Sequence, residues 1–218
     1  QQIHDFHTLT SRGVIAHFDS SSYERHIWFA RIGDGSLGGK ARGLAFLNNL
    51  VYKHRLSEQY PNIKVSIPRT VVIATDYFDQ FILENDLQYV IDSEISDDEV
   101  LSEFVSSRLP EDLVDQLRVF IETARSPLAV RSSSKLEDSS YQPFAGVYST
   151  YMIPLVENKD QMLRMLGKAI KSVYASVFYG SSRTYIHTTA NLLSEEKMAV
   201  VVQSICGSEH NGFYYPMV

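Results

Sequence analysis

Cysteine is nearly absent: Cys206 is the only one in 218 residues, so no internal disulfide can staple the fold, as expected of a chain from a reducing compartment. Glycine and proline are sparse, at 11 and 7 residues, while apolar types make up 44% and charged types 21%. That balance excludes a disordered, collagenous or low-complexity chain. No apolar run approaches the ~20 residues that a membrane-spanning helix needs, and no leader-like basic and apolar pattern opens the chain; the expected location is cytoplasmic. Positive charge is in deficit, with 20 basic residues against 26 acidic ones and a net charge of −6. Nucleic-acid binding through bulk charge is thereby disfavoured, while a local anion site stays open. The seven histidines have no metal-ligand spacing, so no metal site is expected in this chain. Cys206 beside a turn lacks the neighbours of a nucleophile and reads as a small apolar filler.

At ~150 residues per domain the length falls between one domain and two, enough to bury roughly 70% of the unfolded surface without a staple. Residues 1–30 have little periodicity and read as a linker or entry segment. From Ile32 the chain runs Gly33-Asp34-Gly35-Ser36-Leu37-Gly38-Gly39-Lys40, then Leu44, Leu47, Leu50 and Val51 at helical spacing, a glycine loop feeding a helix to about Arg55. Val65–Ile67 with Thr70–Ala74 predicts a short strand pair or one interrupted strand, and Thr75 a helix cap. Residues 84–115 hold eleven acidic residues against Arg108 alone. Ser96-Asp97-Asp98-Glu99 forms a capping box, Pro110 opens a further helix, and acids at helix starts suit the macrodipole, so these helices are given no chemistry. Pro127–Val130 predicts a buried strand running into Arg131-Ser132-Ser133-Ser134, followed by a polar loop and a strand over 147–153. Lys159–Phe178 carries a wide apolar helical stripe, a short helix follows over 181–187, and Met198–Ile205 is a nearly apolar strand before a turn at Cys206–Gly212. Strands and helices without regular alternation predict an α+β fold.

Three places could carry chemistry. Glycines let backbone N–H groups approach an anion and a lysine adds a point charge, so Gly33–Lys40 suggests phosphate binding. A Walker A loop is excluded by Asp34 and Ala41, and a helix-entry turn with a surface lysine is an equal alternative. Arg131, where an apolar strand turns polar, could fork onto phosphate oxygens with serine hydroxyls beside it, or pair internally with Glu137 or Asp138. Gln203, the polar residue of the last strand, either marks a purine-facing hinge or is an edge-strand residue facing water.

Taken in order, these pieces resemble one family. Gly38-Gly39-Lys40-Ala41-Arg42-Gly43-Leu44 is similar to its opening motif. Val130-Arg131-Ser132-Ser133-Ser134-Lys135-Leu136-Glu137-Asp138, continuing through Phe144-Ala145-Gly146 to Thr150, is similar to its most distinctive stretch. Tyr174–Phe178 and Ala199–Gln203 match a later helix and strand. The family is the N-terminal ATP-binding region of phosphoenolpyruvate synthase and pyruvate phosphate dikinase, and the resemblance spans about residues 32–218. It implies an ATP-grasp-like nucleotide-binding domain, continuing beyond Val218, with an α/β lobe over 31–154, a helical sub-domain over 155–195 and a returning strand over 196–218. It further implies that the β-phosphoryl of ATP passes to a carrier histidine on a swivelling domain of the same polypeptide, and then to pyruvate. Lys40 and Arg131 would contact the triphosphate with Ser132 beside them. Ala145, Gly146 and Thr150 would belong to a loop folded over it, and Gln203 with the backbone near Ile205 would line the adenine. Mg²⁺ is implied with ligands outside this chain, and the isolated piece would then be inactive in turnover. A nucleotide-sensing or interaction module that keeps the lobe without catalysis is the alternative.

Overall fold

The computed structural model describes residues 15–18, 28–59, 62–63, 65–93, 95–134, 148–188 and 196–215. In chain order the elements are β1 (Ala16–His17), β2 (Phe29–Ile32), α1 (Gly38–Lys53), α2 (Leu56–Gln59), β3 (Thr70–Ile73), α3 (Thr75–Glu84), α4 (Tyr89–Asp92), α5 (Asp97–Ser106) and α6 (Glu111–Glu122). There follow β4 (Leu128–Ser134), β5 (Thr150–Ile153), α7 (Lys159–Ala175) with a 3-10 turn over Ser176–Phe178, α8 (Gly180–Thr188), β6 (Met198–Ser204), and the hairpin β7 (Ser208–His210) and β8 (Phe213–Tyr215). The fold is a mixed α+β arrangement around a sheet of order β1-β2-β3-β6-β4-β5. Its first three strands are parallel; β6 runs antiparallel to both β3 and β4, and β5 antiparallel to β4.

All four residues of β3 are buried, as are the first six of β6. Runs of Val and Ile with no polar alternation suit strands covered on both faces. Helices α3, α5, α6 and α7 cover one face. There Val71, Ile73, Val130, Val200 and Val202 join Phe81, Phe104, Leu117, Leu166 and Val173 in one cluster. Met162, Leu166, Ala169, Ile170 and Val173 are the buried stripe of α7, repeating at three- and four-residue intervals as a core-facing helix must. An aromatic group locks the helices to one another: Phe78 meets Tyr174 edge-on at 5.1 Å and Phe104 lies 5.4 Å from Phe178. The segment expected as a helical sub-domain supplies α7 and α8, and α7 shares this core with the sheet. Helix α1 lies on the other face, over Phe29, Val72, Ala199 and Val201, with its own Ala41 and Ala45 making the contact.

Several local expectations meet their elements. The capping box is present in full, Ser96 Oγ accepting from Glu99 N–H while the Glu99 carboxylate accepts from Ser96 N–H at 2.8 Å. Others differ for identifiable reasons. Residues 65–69 form no strand; Pro68 has no N–H to give a ladder, and Thr70 starts β3 by donating its N–H to Trp28 O. Thr75 is the first helical residue rather than the cap, because its hydroxyl accepts the Ser36 N–H at 2.9 Å. The turn expected at Cys206–Gly212 is longer and makes a hairpin, β7 to β8, around Asn211 and Gly212, both at positive φ. Among the described residues no helix is long and apolar enough to cross a membrane.

Candidate nucleotide site

The glycine turn before α1 is built from below. Arg31, on β2, donates from Nε to Gly33 O at 2.8 Å and from Nη2 to Gly35 O at 2.9 Å. Asp76 Oδ2 accepts the Asp34 N–H at 2.7 Å and Thr75 Oγ1 accepts that of Ser36. Two amides that an anion cradle at 33–36 would use are therefore engaged within the protein. Both glycines are needed for closeness: a Cβ on Gly33 would stand 2.5 Å from Asp76 Oδ1, and one on Gly35 would stand 2.6 Å from the Asp76 backbone nitrogen. The turn thus acts as a lead-in to the helix, which begins at Gly38.

Gly38 has φ +69°, and a Cβ there would fall 1.8 Å from Ser133 O. Only a residue without a side chain lets the start of α1 lie against β4. Ser133 completes the joint, its hydroxyl donating to Leu37 O at 2.8 Å and accepting the Ala41 N–H at 3.1 Å. The Lys40 ammonium then reaches Ser132 Oγ at 3.1 Å. Two motifs 92 residues apart are thereby brought to one place, with Arg131 next in the strand.

Register distributes the expected residues between the faces. Arg131 lies opposite Val201 on one side and Thr150 on the other, and Gln203 opposite Ala129 and Thr70. Directly paired residues share a face, and Val201 packs under α1, so Arg131, Thr150 and Gln203 all belong to the α1 face. Arg131 is half-buried and Thr150 exposed; Met152, on the same face opposite Ala129, is 65% exposed. The sheet is open there beside the lysine-bearing end of α1. Ser132 is on the opposite pleat, fully buried opposite Val200, and its hydroxyl serves Lys40. Among the described residues Arg131 makes no ion pair. The acids weighed as its internal partners, Glu137 and Asp138, lie outside the described residues, as do Ala145 and Gly146.

Gln203 is not an edge residue. β6 lies between β3 and β4, and the residue is 8% exposed, its side-chain amide donating to Thr70 Oγ1 at 3.0 Å. Ile205 donates its N–H to Pro127 O at 2.9 Å and its carbonyl receives the Tyr214 hydroxyl at 3.3 Å. Sequence reasoning missed Arg31, Asp76 and Ser133 as the supports of this site. The only sequence signal for them was position: an arginine closing a short apolar strand, a Thr-Asp pair just after another, and a serine on the same pleat as Arg131.

Displaced acidities lie on the helical side instead and are structural. Burial raises the Tyr174 phenol, and burial followed by the hydrogen bond to Asp112 raises Tyr77. Tyr179 is pushed up to about 12 by burial and then by Tyr151. No group of three His, Cys, Asp or Glu among the described residues could hold a metal ion.

Comparison with known proteins adds what geometry cannot. The chain is 31% identical over 149 residues to the uncharacterized phosphotransferase YvkC of Bacillus subtilis (strain 168), a match covering 68% of this chain and 17% of that protein. The chain thus spans about a sixth of the length of the curated relative it matches. Residues 34–216, which include the glycine motif, Arg131 and β6, match the family described as pyruvate phosphate dikinase, AMP/ATP-binding domain. The chain belongs to that AMP/ATP-binding domain family.

Proposed function

We propose that this chain is the ATP-binding portion of a dikinase-like phosphotransferase, with the nucleotide lying on the α1 face of the sheet. The observation that carries the reading is the joint between Gly38 and Ser133, from which Lys40 reaches Ser132, the residue next to Arg131 in β4. Lys40 supplies a compact charge whose position is set by Ser132, and Arg131 supplies a planar fork suited to phosphate oxygens. Phosphoryl transfer asks mainly for positioning and charge stabilisation, which is what two such cations on rigid elements provide. Thr150, opposite Arg131, marks where the loop from Phe144 to Thr150, with Ala145 and Gly146, would close over the triphosphate. Toward the other end of the face, Gln203 orients the adenine through its partner Thr70. With the Ile205 N–H donated to Pro127 and one lone pair of its carbonyl receiving the Tyr214 hydroxyl, the second lone pair of that carbonyl is the backbone acceptor for an adenine amino group.

In this reading ATP gives its β-phosphoryl to a carrier histidine on a swivelling domain of the same polypeptide, and the carrier passes it to pyruvate. Magnesium would accompany the triphosphate, its protein ligands supplied from outside this chain, and the isolated chain would bind without turning over. Calorimetry tests the site: Lys40→Ala and Arg131→Ala should each weaken ATP binding at least about tenfold, the loss expected for one charge-assisted contact. Unchanged affinity in both variants would show that the face is not the nucleotide site. Acid-labile labelling of the full-length protein by ATP carrying a β-phosphoryl label tests the transfer. Binding without labelling there would favour a nucleotide-sensing module.

A further inference from the structure

A concave site lies on the side of the sheet away from α1, among the helices. A cleft of about 650 Å³ opens between α5, α6 and α7, within the range of small-molecule pockets. Its floor is apolar, formed by Leu109, Val114, Leu117 and Leu163. Five cations line it, Arg108, Arg118, Arg164, Lys168 and Lys171, against one carboxylate, Asp160. In a chain of net charge −6, with acidic residues crowded along α5 and α6, this is a local reversal of sign.

The cations are not equivalent. Arg118 is paired with Asp160 at 2.8 Å. Lys171 is turned inward, its ammonium donating to Val105 O and to Ser107 O at the carboxyl end of α5, where a cation complements the helix dipole. Burial and then Lys168 lower its pKa. Arg108, Arg164 and Lys168 are exposed and have no carboxylate partner among the described residues. Arg164, Lys168 and Lys171 recur at four- and three-residue steps on α7, so they line one face, where like charges cost helix stability. Gly167 stands between them, and a Cβ added there would reach 3.5 Å from Leu109 Cδ1; its lack of a side chain keeps the cleft open toward Leu109. A merely solvated basic face needs neither an apolar floor nor this concavity.

We propose that this cleft binds a small phosphorylated molecule with an apolar body, its phosphate held by Arg108, Arg164 and Lys168 and its body on Leu109 and Leu163. Two guanidinium forks and an ammonium suit the several oxygens of a phosphate group. An open cleft of this volume, with its apolar floor, suits a small molecule better than an extended acidic peptide.

The test uses the full-length protein carrying Lys40→Ala and Arg131→Ala, which silences the α1 face, with inorganic phosphate and phenyl phosphate as calorimetric probes. Phenyl phosphate should bind more tightly than phosphate. Adding Arg164→Gln with Lys168→Gln should weaken both at least about tenfold, and Gly167→Leu, which fills the cleft without changing charge, should remove the advantage of the phenyl group. Circular dichroism melts establish that each variant is folded. Equal affinity for the two probes, or binding indifferent to Arg164→Gln with Lys168→Gln, would overturn the proposal. So would binding of an acidic peptide, with the same residue dependence, where phenyl phosphate does not bind. Loss of ATP binding in the Lys40 and Arg131 variants bears on the other site alone, so the two readings fail separately.

Discussion

At φ +69° Gly38 occupies a backbone region that other residues enter only at a cost of about 1–2 kcal/mol, and a Cβ there would overlap Ser133 O at 1.8 Å. Relief would require α1 to move off β4, carrying Lys40 away from Ser132. Gly38→Ala should therefore lower stability by about 2–4 kcal/mol and abolish ATP binding together. Chemical denaturation and calorimetry on the same variant check both, and a stable Gly38→Ala protein with normal affinity would contradict the joint described here. Ser132 and Ser133 illustrate what residue identity alone conceals. Both are buried serines in one strand, yet alternation sends Ser133 to the helix joint and Ser132 to the other pleat. Residue type pointed to phosphate chemistry for the run as a whole, while strand register decides which hydroxyl does what.

Helix starts are the elements whose local chemistry reads most directly from sequence. Ser96 and Glu99 satisfy each other's backbone N–H groups at the start of α5, an arrangement that needs only a three-residue spacing. Ser96→Ala should cost about 1 kcal/mol in a denaturant titration at neutral pH. The Ser96 hydroxyl and then its backbone N–H hold the Glu99 carboxyl below its ordinary value. A carboxylate whose folded pKa is depressed stabilises fully above its unfolded pKa and loses that contribution as pH falls through the folded value. Ser96→Ala should accordingly return the Glu99 titration, followed by NMR, toward the ordinary carboxylate range; a titration unmoved by the substitution would deny the box its role. Where an element depends on partners distant in sequence, expectation went astray. Thr75 had the residue type and position of a cap, but Ser36 claims its hydroxyl. Val65–Ile67 had the composition of a strand, but Pro68 follows it and the ladder to β2 begins only at Thr70.

Over the whole molecule, α7 ties the helices to the sheet. Leu166 is fully buried among residues of both, so Leu166→Ala should cost about 2–5 kcal/mol and lower the midpoint of one cooperative transition. A variant that melts in two steps, with residues 155–195 lost first, would instead mark the helical segment as a separate unit. The same architecture segregates charge: acids lie on α5 and α6, one cationic end of the sheet lies beside α1, and the basic cleft sits where α7 meets α5 and α6.

The mixed α+β class, the apolar strands and amphipathic helices, and the membership suggested by Gly38–Leu44, Val130–Asp138 and Ala199–Gln203 were legible from residue order, because period, capping and motif spacing are local properties. Lys40 and Arg131 could be named as candidates on type alone. That Lys40 bonds Ser132, the neighbour of Arg131 in β4, could not, because it depends on β6 inserting between β3 and β4, on a helix seated through Gly38 and Ser133, and on contacts spanning 92 residues. The central place of Gln203, the engagement of the Asp34 and Ser36 amides by Asp76 and Thr75, and that of the Gly33 and Gly35 carbonyls by Arg31 were likewise decided by tertiary structure. Hydrogen-bond partners and strand neighbours are chosen by the packed sheet, and no local pattern encodes which partner will be nearest.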